Sequence, residues 1–129
     1  MSHLDERLAR LHMLAELTEE DLGYEPPKPA RVALVERLLR LADEQGQDLS
    51  EVHLFPDEGG DIDVRRDRRG HPLGGYMCSA TLSPSEDAPG HFDVFGRTSA
   101  TGERLPYLTV PIDEALAHLA EVTTPSTGA

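Results

Sequence analysis

The chain has little of what several common protein classes need. Its 129 residues include one cysteine and no tryptophan, and aromatic residues make up only 5% of the sequence. A single cysteine excludes an internal disulfide and is typical of a reducing compartment. No apolar run approaches the roughly 20 residues that a membrane-spanning helix needs, and the charged N-terminus shows no signal-peptide pattern. We therefore expect a cytoplasmic protein that contacts no membrane.

Basic residues are also few, and this bears on the partners the protein can have. The 24 Asp and Glu residues oppose 12 Lys and Arg residues, which gives a formal net charge of −12. Binding to DNA or RNA requires a basic surface that neutralises phosphates, so we expect no nucleic acid partner. A negative field speeds encounters with basic proteins and also promotes solubility. The composition therefore favours another protein, with a basic surface, as the partner.

Two amphipathic helices are predicted in the first part of the chain. Apolar residues recur at helical spacing over 3–17 and again from Pro29 to about Gln45. Thr18 is placed to cap a separate short turn after the first helix, and Gly23 is placed to end that turn. The proline-rich connector that follows cannot be helical, so the two helices are separate elements.

The remainder of the chain predicts an antiparallel sheet followed by one helix. Short segments of β-forming residues are separated by turns rich in Gly, Pro and Asp. A last helix begins near 109–114, where a proline and acidic residues fill the first turn. This order predicts an α+β fold with two N-terminal helices, an antiparallel sheet of about four strands and one C-terminal helix. The predicted strands are 51–55, 61–65, 75–82 and 91–95, with a short edge segment over 105–110.

The length and hydrophobic content fit one folded unit. At 129 residues with 38% hydrophobic side chains, the sequence can build a packed core. We expect a single α+β domain over 1–122 and a flexible tail of small residues over 123–129. The apolar stripes of the helices and strands predict a common core, formed by Val35, Leu38, Leu39, Ile62, Val64, Phe92, Val94, Leu116 and Leu119.

Turn residues carry a resemblance to a group of known sequences. A Gly- and Pro-containing lead-in over 22–29 precedes an Ala- and Leu-rich helix, and a short strand then leads into Pro56-Asp57-Glu58-Gly59-Gly60 and an alternating strand. This pattern resembles short, acidic, mostly uncharacterised bacterial α+β proteins. The resemblance covers about a third of the chain. It implies a bacterial cytoplasmic protein and assigns no catalytic residue.

Four arginines are concentrated at the predicted end of the second strand. Arg65, Arg66, Arg68 and Arg69 lie within five residues of an otherwise acidic chain. A charge run of this kind usually faces water and keeps the end of a sheet soluble. Alternatively, a loop tip rich in arginine contacts a carboxylate or a phosphate on a partner. We retain both interpretations and treat the four arginines as candidate partner-binding residues.

An acidic segment provides a second candidate surface. Glu19, Glu20 and Asp21 follow the first helix, in a region from Met1 to Glu25 that contains seven acids and two arginines. Such a surface is suited to a basic partner. Our leading hypothesis is a non-enzymatic, acidic protein-binding module of the immunity-protein or antitoxin type, or another inhibitor or regulator. The comparison with immunity proteins and antitoxins rests on composition alone.

The alternative is a small enzyme or metal-binding protein that uses Cys78, His91 and Asp93. These residues lie on neighbouring predicted strands, and a Cys–His–Asp set is a known nucleophilic arrangement. However, Cys78 has no adjacent cation or helix start to lower its pKa, so we expect an inert buried thiol. The histidines lack metal-ligand spacing, and the acidic turn at 57–63 does not match a calcium loop. We therefore expect no catalytic residue, metal or cofactor.

Overall fold

Helices dominate the first third of the molecule and strands the rest. The computed structural model describes residues 2–66, 80–97 and 103–121, and in these ranges it confirms the α+β class. The sheet has five strands because the last part of the predicted edge segment, from Leu108 onward, pairs with the strand before it. The helices are α1 (His3–Ala15), α2 (Glu19–Leu22), α3 (Pro29–Glu44) and α4 (Ile112–Glu121), and the strands are β1 (Val52–Asp57), β2 (Asp61–Arg66), β3 (Ala80–Pro84), β4 (His91–Phe95) and β5 (Leu108–Pro111).

The ends of the helices follow from local chemistry in the sequence. The Thr18 hydroxyl accepts from the Asp21 N–H at 3.2 Å, and the Asp21 carboxylate accepts from the Thr18 N–H at 2.9 Å. This reciprocal capping box starts α2. Gly23 ends it with a φ of 78°, a left-handed conformation that favours glycine. Pro29 begins α3, where its missing N–H removes no helical hydrogen bond.

The five strands form an antiparallel meander in which neighbours in sequence are neighbours in space, in the order β1-β2-β3-β4-β5. Strands β1 and β2 are joined by the predicted hairpin turn, and Phe55 pairs with Asp63 across it. Strand β3 is described from Ala80 onward. The part of the predicted third strand over 75–79, which includes Cys78, lies outside the described residues.

The sheet has one face packed against helices. Helix α1 packs on α3 and β1, α3 on β2 and β3, and α4 on β3, β4 and β5. All nine residues predicted for the core are buried, each with at most 2% of its surface exposed. We call this side of the sheet the helix-covered face. Its strand residues are Val52, Leu54, Ile62, Val64, Ala80, Leu82, Phe92, Val94 and Val110.

The edge of the sheet at β1 is occupied by side chains. The Arg10 guanidinium donates to the Leu54 carbonyl at 3.3 Å, and the Tyr24 hydroxyl donates to the Pro56 carbonyl at 3.4 Å. Pro56 also has no N–H to offer to another strand. These features protect the edge from pairing with a further strand, which is a common requirement of open sheets.

None of the helices in the described part of the chain has the length and apolarity needed to cross a bilayer. The predicted tail over 123–129 lies outside the described residues.

Candidate functional site

The second face of the sheet is a polar surface on which no described helix packs, and we call it the open face. It arises because successive side chains of a strand point to opposite sides, so each apolar residue of the core is flanked by one that points away. The open face carries four aspartates and one arginine. In strand order its residues are His53, Phe55 and Asp57, then Asp61, Asp63 and Arg65, then Thr81 and Ser83, then His91, Asp93 and Phe95, and finally Tyr107, Thr109 and Pro111.

Three aspartates meet at the β1–β2 end of the open face. Asp57 pairs with Asp61 across the hairpin, and Asp63 follows two residues later on the same side. Burial first, and then the charge and hydrogen bond of Asp57, raise the pKa of Asp63 to about 7, while Ser83 opposes the shift. Carboxylates placed this closely resist full ionisation. Asp63 therefore holds its proton up to about neutral pH.

A buried arginine holds the turn that carries these acids. Arg31 of α3 donates to the Gly59 carbonyl at 3.0 Å and forms an ion pair with Asp61. Burial raises the pKa of Asp61, and the charge of Arg31 works against that rise. The Lys28 N–H donates to the Gly60 carbonyl at 3.0 Å, which fixes the turn at a second point. The acidic end of the open face is thus anchored to α3 rather than left to move.

An aromatic pair lies at the opposite end of the open face. The rings of Phe95 and Tyr107 stack with centroids 6.1 Å apart and planes 19° apart. Tyr107 is 61% exposed. The Thr109 hydroxyl donates to the Asp93 carboxylate at 2.8 Å beside this pair. The pKa of Tyr107 is raised, first by burial and then by its hydrogen bond to Asp93. An exposed aromatic surface therefore lies next to an oriented carboxylate.

The candidate arginines separate into different environments. Arg65 lies on the open face, with part of its surface exposed, and pairs with Thr81 of β3. The expectation that Arg66 lies at an exposed loop tip is wrong. Strand β2 continues through Arg66, and the alternation of the strand turns this side chain into the helix-covered face with 0% exposure. Arg68 and Arg69 lie outside the described residues.

Arg66 is an unusual member of the core. None of its three guanidinium nitrogens has a hydrogen-bond partner among the residues that the structure describes. Burial lowers the pKa of Arg66 to about 10, and the negative charges of Asp48 and Glu51 oppose this shift. Arg66 is therefore stabilised by nearby opposite charge rather than by oriented hydrogen bonds, and it offers no surface to a partner.

The acidic candidates on α2 are all exposed, but they are not equivalent. Glu19 and Glu20 point to solvent. The Asp21 carboxylate accepts from the Thr18 N–H at 2.9 Å and from the Thr18 hydroxyl at 3.0 Å, and these hydrogen bonds lower its pKa. Asp21 thus stabilises the start of α2 as part of its capping box. Glu19 and Glu20 are left as the acids of this segment that could contact a partner.

Of the alternative catalytic set, His91 and Asp93 share the open face. The Asp93 carboxylate is turned toward Thr109, and the His91 Nδ1 lies 3.1 Å from the Pro89 carbonyl. Cys78 lies outside the described residues. Within the ranges 2–66, 80–97 and 103–121, no three His, Cys, Asp or Glu side chains are grouped to hold a metal ion.

The sequence contained a signal for the open face that the search for motifs missed. The residues between the buried ones in β2 and β4 are Asp61, Asp63 and Arg65, and His91, Asp93 and Phe95. Their alternation indicates a polar sheet face as clearly as the apolar residues indicate a core. The pairing of Phe95 with Tyr107 depends on strand register, which no local pattern shows. Comparison of the chain with models of protein families, with curated proteins and with solved structures finds no match.

Proposed function

We propose that this protein is a non-enzymatic binding module that holds a basic surface of another protein against its open face. The observation that carries the proposal is the charge of that face. Arg31 pairs with Asp61, and Asp63 holds a proton up to about pH 7. Asp57 and Asp93 are therefore the aspartates that set the negative charge of the face against its one arginine, Arg65. Complementary charge steers diffusional encounter and selects the orientation of a partner. The formal net charge of −12 adds a long-range attraction of the same sign.

The geometry of the face also suits protein recognition. Three aromatic side chains lie among the acids, and two of them are well exposed, Phe55 at 43% and Tyr107 at 61%. Exposed aromatic side chains supply contact area with little loss of conformational freedom, and they are enriched at protein interfaces. The sheet holds these groups in fixed relative positions, so binding orders few side chains and loses little entropy.

A role as an inhibitor of the immunity-protein or antitoxin type is one form of this proposal. Such a protein neutralises a basic partner by covering its functional surface, and it needs no catalytic group of its own. A bacterial, cytoplasmic origin is part of the same proposal and rests on the resemblance of the turn and helix pattern. The acidic composition and the acidic open face support this form.

The test compares two variants that remove the same number of negative charges. In the open-face variant, Asp57 and Asp93 are each changed to Asn. In the matched control, Glu19→Gln and Glu20→Gln remove two exposed acids from α2. The probe is a fluorescent synthetic peptide that carries about six positive charges, and its affinity is measured by anisotropy at low salt.

We expect the open-face variant to bind the peptide about tenfold more weakly, because each exposed charge contact is worth up to about 1 kcal/mol. The control variant should lose at most about twofold through the change in net charge. Equal weakening in the two variants would mean that total charge alone attracts the peptide. Greater weakening in the control would place the binding surface on α2. Either result would overturn the proposal.

A further inference from the structure

The end of the open face at β4 and β5 has the features of a site for one particular side chain. Phe95 in β4 and Tyr107 beside β5 present stacked rings, and Tyr107 is the most exposed large hydrophobic residue in the described part of the chain. Asp93 lies two residues before Phe95 on the same face of β4, and it pairs with Thr109 of β5. A flat π-surface and a carboxylate therefore occur side by side.

The carboxylate at this site is held in place. The Thr109 hydroxyl donates to Asp93 Oδ1 at 2.8 Å. This contact fixes the carboxylate on the strand next to the aromatic pair. Asp87, in the loop before β4, adds a second negative charge that acts on Tyr107. The local field at the aromatic pair is thus negative and attracts a cation.

The chemistry of this arrangement distinguishes the two basic side chains. A guanidinium group is planar, stacks on an aromatic ring, and offers its N–H groups in the plane to a neighbouring carboxylate. An ammonium group is a strongly hydrated point charge that gains less from stacking. Cations over exposed aromatic rings are more often arginine than lysine.

We propose that the aromatic pair of Phe95 and Tyr107, together with Asp93, forms a recognition site for an arginine side chain of the basic partner. This inference rests on the proposed function and names the side chain that the open face selects. The guanidinium stacks on the exposed face of Tyr107 and directs its N–H groups to the outer oxygen of Asp93. The acidic end at Asp57 attracts any cation, whereas this end selects arginine.

The test uses two synthetic peptides of equal length and equal charge, one with about six arginines and one with the same number of lysines. Affinity for the full chain is measured by calorimetry at low salt. We expect the arginine peptide to bind about threefold more tightly than the lysine peptide, a ratio typical of an exposed cation–π contact. Tyr107→Ala should reduce this ratio to about one, and Tyr107→Phe, which keeps the ring, should preserve it.

Phe55→Ala is the matched control, because it removes an exposed aromatic side chain from the opposite edge of the same face. It should leave the ratio unchanged. The chain has three tyrosines and no tryptophan, so tyrosine fluorescence gives a second readout. The arginine peptide should change this signal in the wild type and change it much less in Tyr107→Phe.

The failure of this inference is distinguishable from the failure of the proposed function. Equal binding of the two peptides, or loss of the preference in Phe55→Ala but not in Tyr107→Ala, would overturn the arginine site and leave the acidic face as the binding surface. Binding of neither peptide would overturn both. Urea unfolding of each variant shows whether Tyr107→Ala is folded. If it is not, the fluorescence difference between wild type and Tyr107→Phe decides the question.

Discussion

The two faces of the sheet are made from the same strands, but one face is apolar and buried and the other is polar and partly exposed. In β4, Phe92 and Val94 are fully buried under α4, whereas the alternate residues Asp93 and Phe95 are partly exposed on the open face. Apolar burial stabilises the first face at about 25 cal/mol per Å². The second face contributes oriented charge and aromatic surface. We therefore expect substitutions on the helix-covered face to change stability, and those on the open face to change binding.

The largest effect should come from placing a charge on the helix-covered face. Val94 is 0% exposed, and Val94→Asp buries a carboxylate among apolar side chains. We expect a loss of more than about 4 kcal/mol, enough to remove the cooperative urea transition seen by circular dichroism. The adjacent change Asp93→Asn, on the open face, should alter the free energy of unfolding by less than about 1 kcal/mol. Similar losses in both variants would remove the distinction between the faces.

The next largest effect on stability should come from removing an apolar side chain from α3, which packs on the sheet. Leu39 of α3 is 0% exposed in the core. Leu39→Ala should lower the free energy of unfolding by about 2–5 kcal/mol, through lost burial and the cavity left behind. Arg40→Ala, one residue along and exposed, should change it by about 0.5 kcal/mol through its pair with Glu36. A neutral Leu39→Ala in urea unfolding would show that α3 does not pack as described.

Two of the three buried arginines in the described part of the chain provide a sharper test. Arg31 donates hydrogen bonds to Gly59 and Asp61, so Arg31→Met should lower stability by about 1–3 kcal/mol. Arg66 has no hydrogen-bond partner among the described residues, and Arg66→Met should be neutral or stabilising by about 1 kcal/mol, because a methionine fills the space without the cost of burying a charge. The check is urea unfolding of both variants. Reversal of this order would contradict the assigned contacts.

A smaller effect is expected from pH on the open face. The folded-state pKa of Asp63, about 7, lies above its ordinary value of 3.8. The folded protein therefore holds this proton more tightly than the unfolded chain, and stability falls as pH rises from about 4 to about 7. The Asp63 side chain is only partly buried, so solvent screens part of this effect, and we expect a loss of about 1–2 kcal/mol over this window. Asp63→Asn should flatten the dependence in urea unfolding, whereas exposed Asp43→Asn should not.

The helix-covered face could be predicted from the sequence, and the strand alternation also indicated a polar face, but the contacts between strands on the open face could not be predicted. Apolar periodicity identified Leu39 and Val94 because burial follows a local pattern. The capping role of Thr18 was equally local. The loop position predicted for Arg66 was wrong. A charged residue at the end of a strand pattern indicates a loop, but strand β2 continues for one residue beyond its predicted end and includes Arg66. The Phe95–Tyr107 pair required the β4–β5 register, which joins residues twelve positions apart.

The central claim is that a basic partner contacts the open face, and chemical-shift mapping by NMR tests it most directly. The ¹⁵N-labelled full chain is titrated with the arginine peptide at low salt, and amide shifts are followed along the sequence. We predict that the largest shifts fall in β2, β4 and β5, at Asp63, Asp93 and Tyr107, and that they shrink at high salt. Shifts centred on Glu19 and Glu20 of α2, or spread evenly over the surface, would contradict the account.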